Sequence, residues 1–204
     1  MYLHFGCGLT APEGWENYDA SPTLRFERIP FIGGLYSRNA KRFPKNVKYG
    51  NIVKGLPISR ESCDAIYCSH VLEHLSFLDC KKAIKNTYHY LKKGGFFRVV
   101  VPDLEALAKL YASNPDQDAG IRFVGSLLMG LQDRQTGLMG ILQSSFGNSR
   151  HLWMWDEGGL RLMLQEAGFR AIRRVSFQDT EEPKFNELDS KERFDCGLGI
   201  EAKK

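Results

Sequence analysis

The chain has 204 residues, of which 43% are hydrophobic and 25% charged, and carries a formal net charge of +4. That length and balance describe an ordinary globular chain able to bury its own core, with no need of a metal or disulfide staple. No run of about 18 apolar residues occurs, which excludes a helical membrane span. No basic region followed by a long apolar run opens the chain, so a signal peptide is not expected either.

Alternating strands and helices run along the chain in the pattern of a parallel sheet covered on both faces. A short strand over 2–5 leads directly into glycines, and a second over 15–18 ends at Asp19. Residues 20–46 hold Pro22, Pro30, Gly33, Gly34 and Pro44 and read as loop with one short helix. A third strand covers 47–49 and a buried fourth covers 64–69. Phe77, Cys80, Ile84, Tyr88 and Leu91 then recur at helical spacing, with Gly94-Gly95 as the expected stop.

The Phe-Phe-Arg-Val-Val-Val run over 96–101 is the clearest strand of all, closed by Pro102. Asp103 is placed to cap a helix whose inward face is Leu104, Leu107, Ala108 and Tyr111. A glycine-punctuated helical stretch follows over 116–150, with Phe123, Leu127, Leu128 and Leu131 in register and Gly125, Gly130, Gly137, Gly140 and Gly147 as interruptions. It reads as a helical insertion, a lid or acceptor lobe, or else as core or a dimer contact. Asp156 caps a last helix with Leu160, Met163, Leu164 and Ala167 inward, stopped by Gly168, and two closing strands follow over 169–177 and 194–202. The fold class expected is therefore α/β: a Rossmann-like, mostly parallel sheet of about seven strands in a single domain.

The five cysteines, Cys7, Cys63, Cys68, Cys80 and Cys196, are odd in number and form no CxxC pair. That pattern suits neither a zinc site nor a disulfide framework, so a reducing, cytoplasmic compartment and no metal are expected. Charge is unevenly placed. Arg25, Arg28, Arg38, Lys41, Arg42, Lys45 and Lys48 crowd one stretch, while Asp179, Glu181, Glu182, Glu187, Asp189, Glu192 and Asp195 crowd another. The basic stretch reads as a solvated loop balanced by the acidic tail, or as a patch for phosphate, an acidic substrate or a membrane surface. Nucleic acid is not an expected partner.

The chemistry concentrates at Leu3-His4-Phe5-Gly6-Cys7-Gly8. Glycines directly after a strand permit a sharp turn and let a ligand approach the main chain. Gly6-Cys7-Gly8-Leu9-Thr10-Ala11 also satisfies the Gly-x-Gly-x-x-Ala variant of the dinucleotide fingerprint. A dinucleotide needs a helix N-terminus facing its pyrophosphate, yet Pro12 and Gly14 follow at once. Asp19 also comes 11 residues after Gly8, short of the usual distance of about 20. A nucleoside without phosphate needs only an acid for its ribose and a slot for its base.

Taken with Gly-Trp-Glu-Asn-Tyr-Asp at 14–19, the turn resembles that of class I S-adenosylmethionine-dependent methyltransferases, in a short bacterial branch that lacks the first helix. The resemblance continues through Gly50-Asn51-Ile52, Leu56-Pro57, the 64–74 run ending Ser-His-Val-Leu-Glu-His, Leu91-Lys-Lys-Gly-Gly95, Val100-Val-Pro-Asp103 and Leu164-Gln-Glu-Ala-Gly-Phe169. It implies S-adenosylmethionine as cofactor, held by Phe5, Gly6, Cys7, Gly8, Asp19, Asn51, Ile52, Ser69 and His70. Asn51 stands where the family often has Asp, and Thr10 replaces a third glycine.

The implied reaction is methyl transfer to an oxygen or nitrogen of a small-molecule or glycan-precursor acceptor. His70 is the first candidate base and His151, beside Trp153 and Trp155, the second. His74 reads as a capping or packing residue, Asp103 as a helix cap or substrate contact, and Cys7 as a small buried residue. The competing readings are a non-catalytic module keeping the fold and, on the fingerprint alone, a nicotinamide-dependent oxidoreductase.

Overall fold

The computed structural model describes residues 1–31, 42–130 and 150–204. Seven strands form one sheet: β1 (Tyr2–Phe5), β2 (Trp15–Asp19), β3 (Val47–Tyr49), β4 (Cys63–Ser69), β5 (Leu91–Pro102), β6 (Arg170–Val175) and β7 (Gly197–Lys203). Their order is β3-β2-β1-β4-β5-β7-β6. The pairings from β3 through β5 are parallel, and β7 runs antiparallel to both of its neighbours. The helices are α1 (Pro22–Glu27), α2 (Phe77–Tyr90), α3 (Leu104–Ala112), α4 (Ala119–Ser126), α5 (Glu157–Ala167) and α6 (Lys191–Phe194), with 3-10 turns at Leu72–His74 and Pro183–Glu187.

Strand alternation sorts the core into two layers. Leu3, Phe5, Ile66, Cys68, Phe97, Val99 and Val101 face α2 and α5, where they meet Cys80, Ala83, Ile84, Leu160, Met163 and Leu164. The residues between them in sequence face the other way: Ala65 and Tyr67 pack with Trp15, Phe185 and Leu188. The chain between β6 and β7 covers this second face. Capping follows the sequence pattern, with Asp103 accepting from the amides of Glu105 and Ala106 and Asp156 from that of Gly159. Gly168 ends α5 at φ +107°.

Three expectations need correction. The helix α2 stops at Tyr90, not at Gly94-Gly95, because Leu91 is fully buried and already pairs with Cys63 as the opening of β5. The glycines lie inside that strand at a register shift, where a Cβ on Gly95 would come within 2.9 Å of the Asp64 carbonyl oxygen. Phe194 closes α6 and the last strand begins at Gly197. The helix α3 buries no residue fully; Tyr111 is exposed and stacks on Phe123 of α4 at 4.9 Å. The expected helical features at Leu131, Gly137, Gly140 and Gly147, and the basic residues Arg38 and Lys41, lie outside the described residues.

The acidic tail proves to be structural. Arg98, on β5, is fully buried on the second face, and every N–H of its guanidinium is used. Nε and Nη2 donate to the two Asp189 oxygens at 3.2 and 2.6 Å, Nη1 to Glu201 Oε2 and the Asp179 carbonyl, and Nη2 also to the Ser176 carbonyl. Arg173 pairs with Asp179 and Glu201, Lys203 with Glu181, and Lys184 with Glu187. The tail therefore answers cations on β5, β6, β7 and its own turn. In the basic stretch, Arg28 donates to the Pro44 and Val47 carbonyls and Lys48 pairs with Glu16.

Removing one member of a buried ion cluster strands the rest, so Arg98→Met is expected to lower unfolding free energy by about 3–5 kcal/mol in urea titrations. A second test concerns His4, fully buried on β1 between Trp15 and Tyr67, with no hydrogen-bond partner for either ring nitrogen among the described residues. Burial lowers its pKa from 6.5 to about 3. The unfolded chain therefore takes up this proton first: the stability is whole above pH 6.5 and is lost as pH falls toward 3. Between pH 8 and pH 5 this costs about 2 kcal/mol, and His4→Phe is expected to narrow the pH 8-to-pH 5 stability gap by that amount.

Candidate active site

The strand order reverses between β1 and β4, and the carboxyl ends of β1, β2 and β4 open onto that switch point. Residues 6–14 join β1 to β2 as a turn without a helix. Gly6 and Gly8 sit at φ +67° and +54°, a backbone region that side chains rarely adopt. The Gly8 amide donates to Asp19 Oδ2 at 2.8 Å, while the other Asp19 oxygen accepts from the Ser21 amide at 2.7 Å. The carboxylate thus fastens the glycine turn to the start of α1 and keeps lone pairs on both oxygens for a ligand.

The neighbouring predicted residues converge on the same edge. Phe5 is buried beneath the turn, and the space above Gly8 is open. Gly50 N bonds the Asp19 carbonyl, which brings Asn51 and Ile52 beside the acid. Asn51 Oδ1 caps its own turn by accepting from the amides of Val53 and Lys54, and Ile52 is buried with its carbonyl held by Asn86. Ser69 ends β4 with a buried hydroxyl that has no partner among the described residues. Cys7 is buried, and desolvation first, with the Asp19 charge second, pushes its thiol up to about 12, which removes it as a nucleophile.

His70 follows with φ +53°, an uncommon conformation for a residue with a side chain. Its Nδ1 lies 3.1 Å from Glu73 Oε1 and its Nε2 3.0 Å from the Arg193 carbonyl. Both ring nitrogens face acceptors, and the bond to Glu73, ahead of the opposing desolvation, raises its pKa. The buried His151 lies across from it, with its ring edge-on to His74 at 5.0 Å and Nδ1 unpartnered. Desolvation lowers the His151 pKa. The two candidate histidines are thus joined through Glu73 and His74.

Glu73 was not singled out from sequence, although it is fully buried and its backbone carbonyl accepts from the amides of Leu152 and Trp153. Its one sequence signal was its place beside His74 just after the fourth strand. Arg193, also missed, donates to Thr10 Oγ1 and lies over the Tyr67 ring, which ties α6 to the glycine turn. Asp103 is saturated by its cap and by Arg174 at 2.7 Å, which accounts for it structurally.

The turn's fit against the loop after β4 is testable. A Cβ on Gly6 would lie 2.1 Å from Val71 Cγ2. Gly6→Ala is expected to destabilise sharply in the wild type and much less in a Val71→Ala background, leaving about 1–2 kcal/mol of left-handed backbone strain. Urea midpoints of the four proteins in the cycle provide the measurement.

The model of a family described as methyltransferase domain matches residues 9–174. No curated protein matches the chain. Among solved structures, a SAM-dependent methyltransferase from Thermotoga maritima, described as a possible histamine N-methyltransferase, aligns at 16% identity and a TM-score of 0.52, covering 100% of this chain and 81% of its own. A SAM-dependent methyltransferase from Archaeoglobus fulgidus aligns at 15% identity and a TM-score of 0.51, covering 100% and 85%. These likenesses are to the fold, whereas the family match spans most of the chain. The chain belongs to the methyltransferase-domain family, with the class I, S-adenosylmethionine-dependent architecture.

Proposed function

We propose that the protein transfers a methyl group from S-adenosylmethionine to an oxygen or nitrogen of a small-molecule or glycan-precursor acceptor. The observation that carries this reading is the Gly6-Cys7-Gly8 turn fastened to Asp19 at the switch point of the sheet. S-adenosylmethionine supplies a methyl already activated on its sulfonium. The residues here fit such a group: open space above Gly8, an acid with free lone pairs, and the orphaned hydroxyl of Ser69 beside the switch point. The absence of a helix between β1 and β2 disfavours a pyrophosphate.

In this reading Phe5, Gly6, Cys7 and Gly8 form the floor under the methionine part, Asp19 accepts from the ribose hydroxyls, and Asn51 and Ile52 border the adenine. Ser69 and the backbone of His70 close the methionine side. The remaining task is to hold the acceptor in line and exclude water. Where the acceptor must lose a proton, His151 is the ready base, neutral by burial and with a free ring nitrogen. His70, whose two nitrogens are already engaged, supports it by fixing the orientation of Glu73. The free cysteines favour a reducing, cytoplasmic setting, and among the described residues no helix is long and apolar enough to cross a membrane.

Calorimetric titration with S-adenosylhomocysteine, with NADH as the control, tests the donor. Saturable binding of the first alone is expected, weakened about tenfold to a hundredfold in Asp19→Ala, the worth of hydrogen bonds to a charged acceptor. NADH binding without S-adenosylhomocysteine binding would overturn the reading in favour of an oxidoreductase.

A further inference from the structure

We propose that Glu73, His74 and His151 form a binding site for a single divalent transition-metal ion. One ligand atom from each residue lies within 4.8 Å of the others, and Glu73 and His151 are both buried. In a tetrahedral site with bonds of about 2.0–2.2 Å, ligand atoms stand roughly 3.4 Å apart. The three side chains therefore need to close by no more than roughly 1.4 Å from the separations seen here.

What recommends a cation is the electronic character of the cluster. His74 Nδ1 lies 2.9 Å from the Arg150 carbonyl, an acceptor, so the tautomer with its proton on Nδ1 satisfies that contact and leaves the Nε2 lone pair facing Glu73. Nε2 stands 4.0 Å from Glu73 Oε1. A carbonyl holding the outer nitrogen of a histidine is the usual arrangement behind a metal ligand. His151 Nδ1 and Glu73 Oε2 are buried without any partner among the described residues. Glu73 Oε1 already faces His70, so the two orphaned atoms are what a cation would serve, since a buried polar atom without a partner is costly.

The backbone holds the set together across the chain. The Leu152 and Trp153 amides both donate to the Glu73 carbonyl, which pins the segment carrying His151 against the turn carrying Glu73 and His74. Two imidazoles and one carboxylate suit zinc, or iron and its neighbours, better than magnesium or calcium. With a metal bound, His151 would act as a ligand and no longer as a base. None of the five cysteines belongs to this set. The site stands whether or not the donor binds as proposed above.

The test uses the full-length chain stripped by a chelator and titrated with Co2+, followed by visible absorption and, in parallel, with Zn2+ by calorimetry. A single saturable site with the ligand-field bands of a four- or five-coordinate ion is expected, together with a raised thermal midpoint. Glu73→Gln and His151→Ala are each expected to weaken the affinity by at least about tenfold. S-adenosylhomocysteine binding by the same variants reports that they are folded and separates failure of this site from failure of the donor site; where that is silent, circular dichroism decides folding. Absence of saturable Co2+ binding, or binding unchanged in whichever variant folds, overturns the proposal and leaves a cluster filled by water.

Discussion

The guanidinium of Arg98 is the fixed point of the molecule's second face. It stands in the middle of the strongest strand, fully buried, and a charge in such a place is tolerable only if each of its donors is met. The acceptors come from far along the chain: carbonyls at Ser176 and Asp179, the Asp189 carboxylate, and Glu201 on β7. Meeting them folds the segment between β6 and β7 across the sheet, and Phe185 and Phe194 lie against the same cation at 5.8 and 5.3 Å. That segment then supplies Arg193, whose carbonyl receives His70 Nε2 and whose side chain reaches Thr10. A buried charge on β5 is thereby linked, through packed and hydrogen-bonded groups, to the glycine turn and to the histidine after β4.

The opposite end of the site is organised by loss of water rather than by charge balance. Glu73, His74 and His151 gather where the turn after β4 meets the segment before α5, and Phe77, Trp153 and Trp155 pack on one another at centroid distances of 4.9 to 6.2 Å. Burial lowers the His151 pKa, whereas the bond to Glu73 raises that of His70. The two histidines are therefore shifted in opposite directions by their surroundings, a pattern met where titratable groups have chemical work.

Much of this was legible in the sequence because it depended on neighbours along the chain. The strands announced themselves as short apolar runs between turn residues, the caps Asp103 and Asp156 stood where helices had to begin, and Gly6 and Gly8 marked a turn no other residue adopts easily. Asp19 was identifiable as the acid ending the second strand. The remainder depended on contacts remote in sequence. Arg98 looked like one polar residue in an apolar strand, and the acids from 179 to 195 read as a balance for the basic stretch, because the pairing of Arg98 with Asp189 spans 91 positions. Glu73 resembled any acid at the start of a helix until residues 150–153 were laid against it. Gly94-Gly95 looked like a helix stop since nothing local tells a stop from a strand glycine that another backbone approaches closely.

The antiparallel β7 has a consequence for how the protein is made. It lies between β5 and β6, yet it is synthesised after both. Until it arrives, β5 presents a bare edge of Val99, Val100 and Val101, β6 has no sheet to join, and the Arg98 charge lacks one of its carboxylates. The earlier strands can assemble as they leave the ribosome, but this half of the sheet closes only by insertion of a strand between two waiting edges. Such edges are templates for pairing with other chains. The nascent protein thus passes through a sticky half-sheet on its way to the native state, and a cell making it quickly would rely on holdase capacity at that stage.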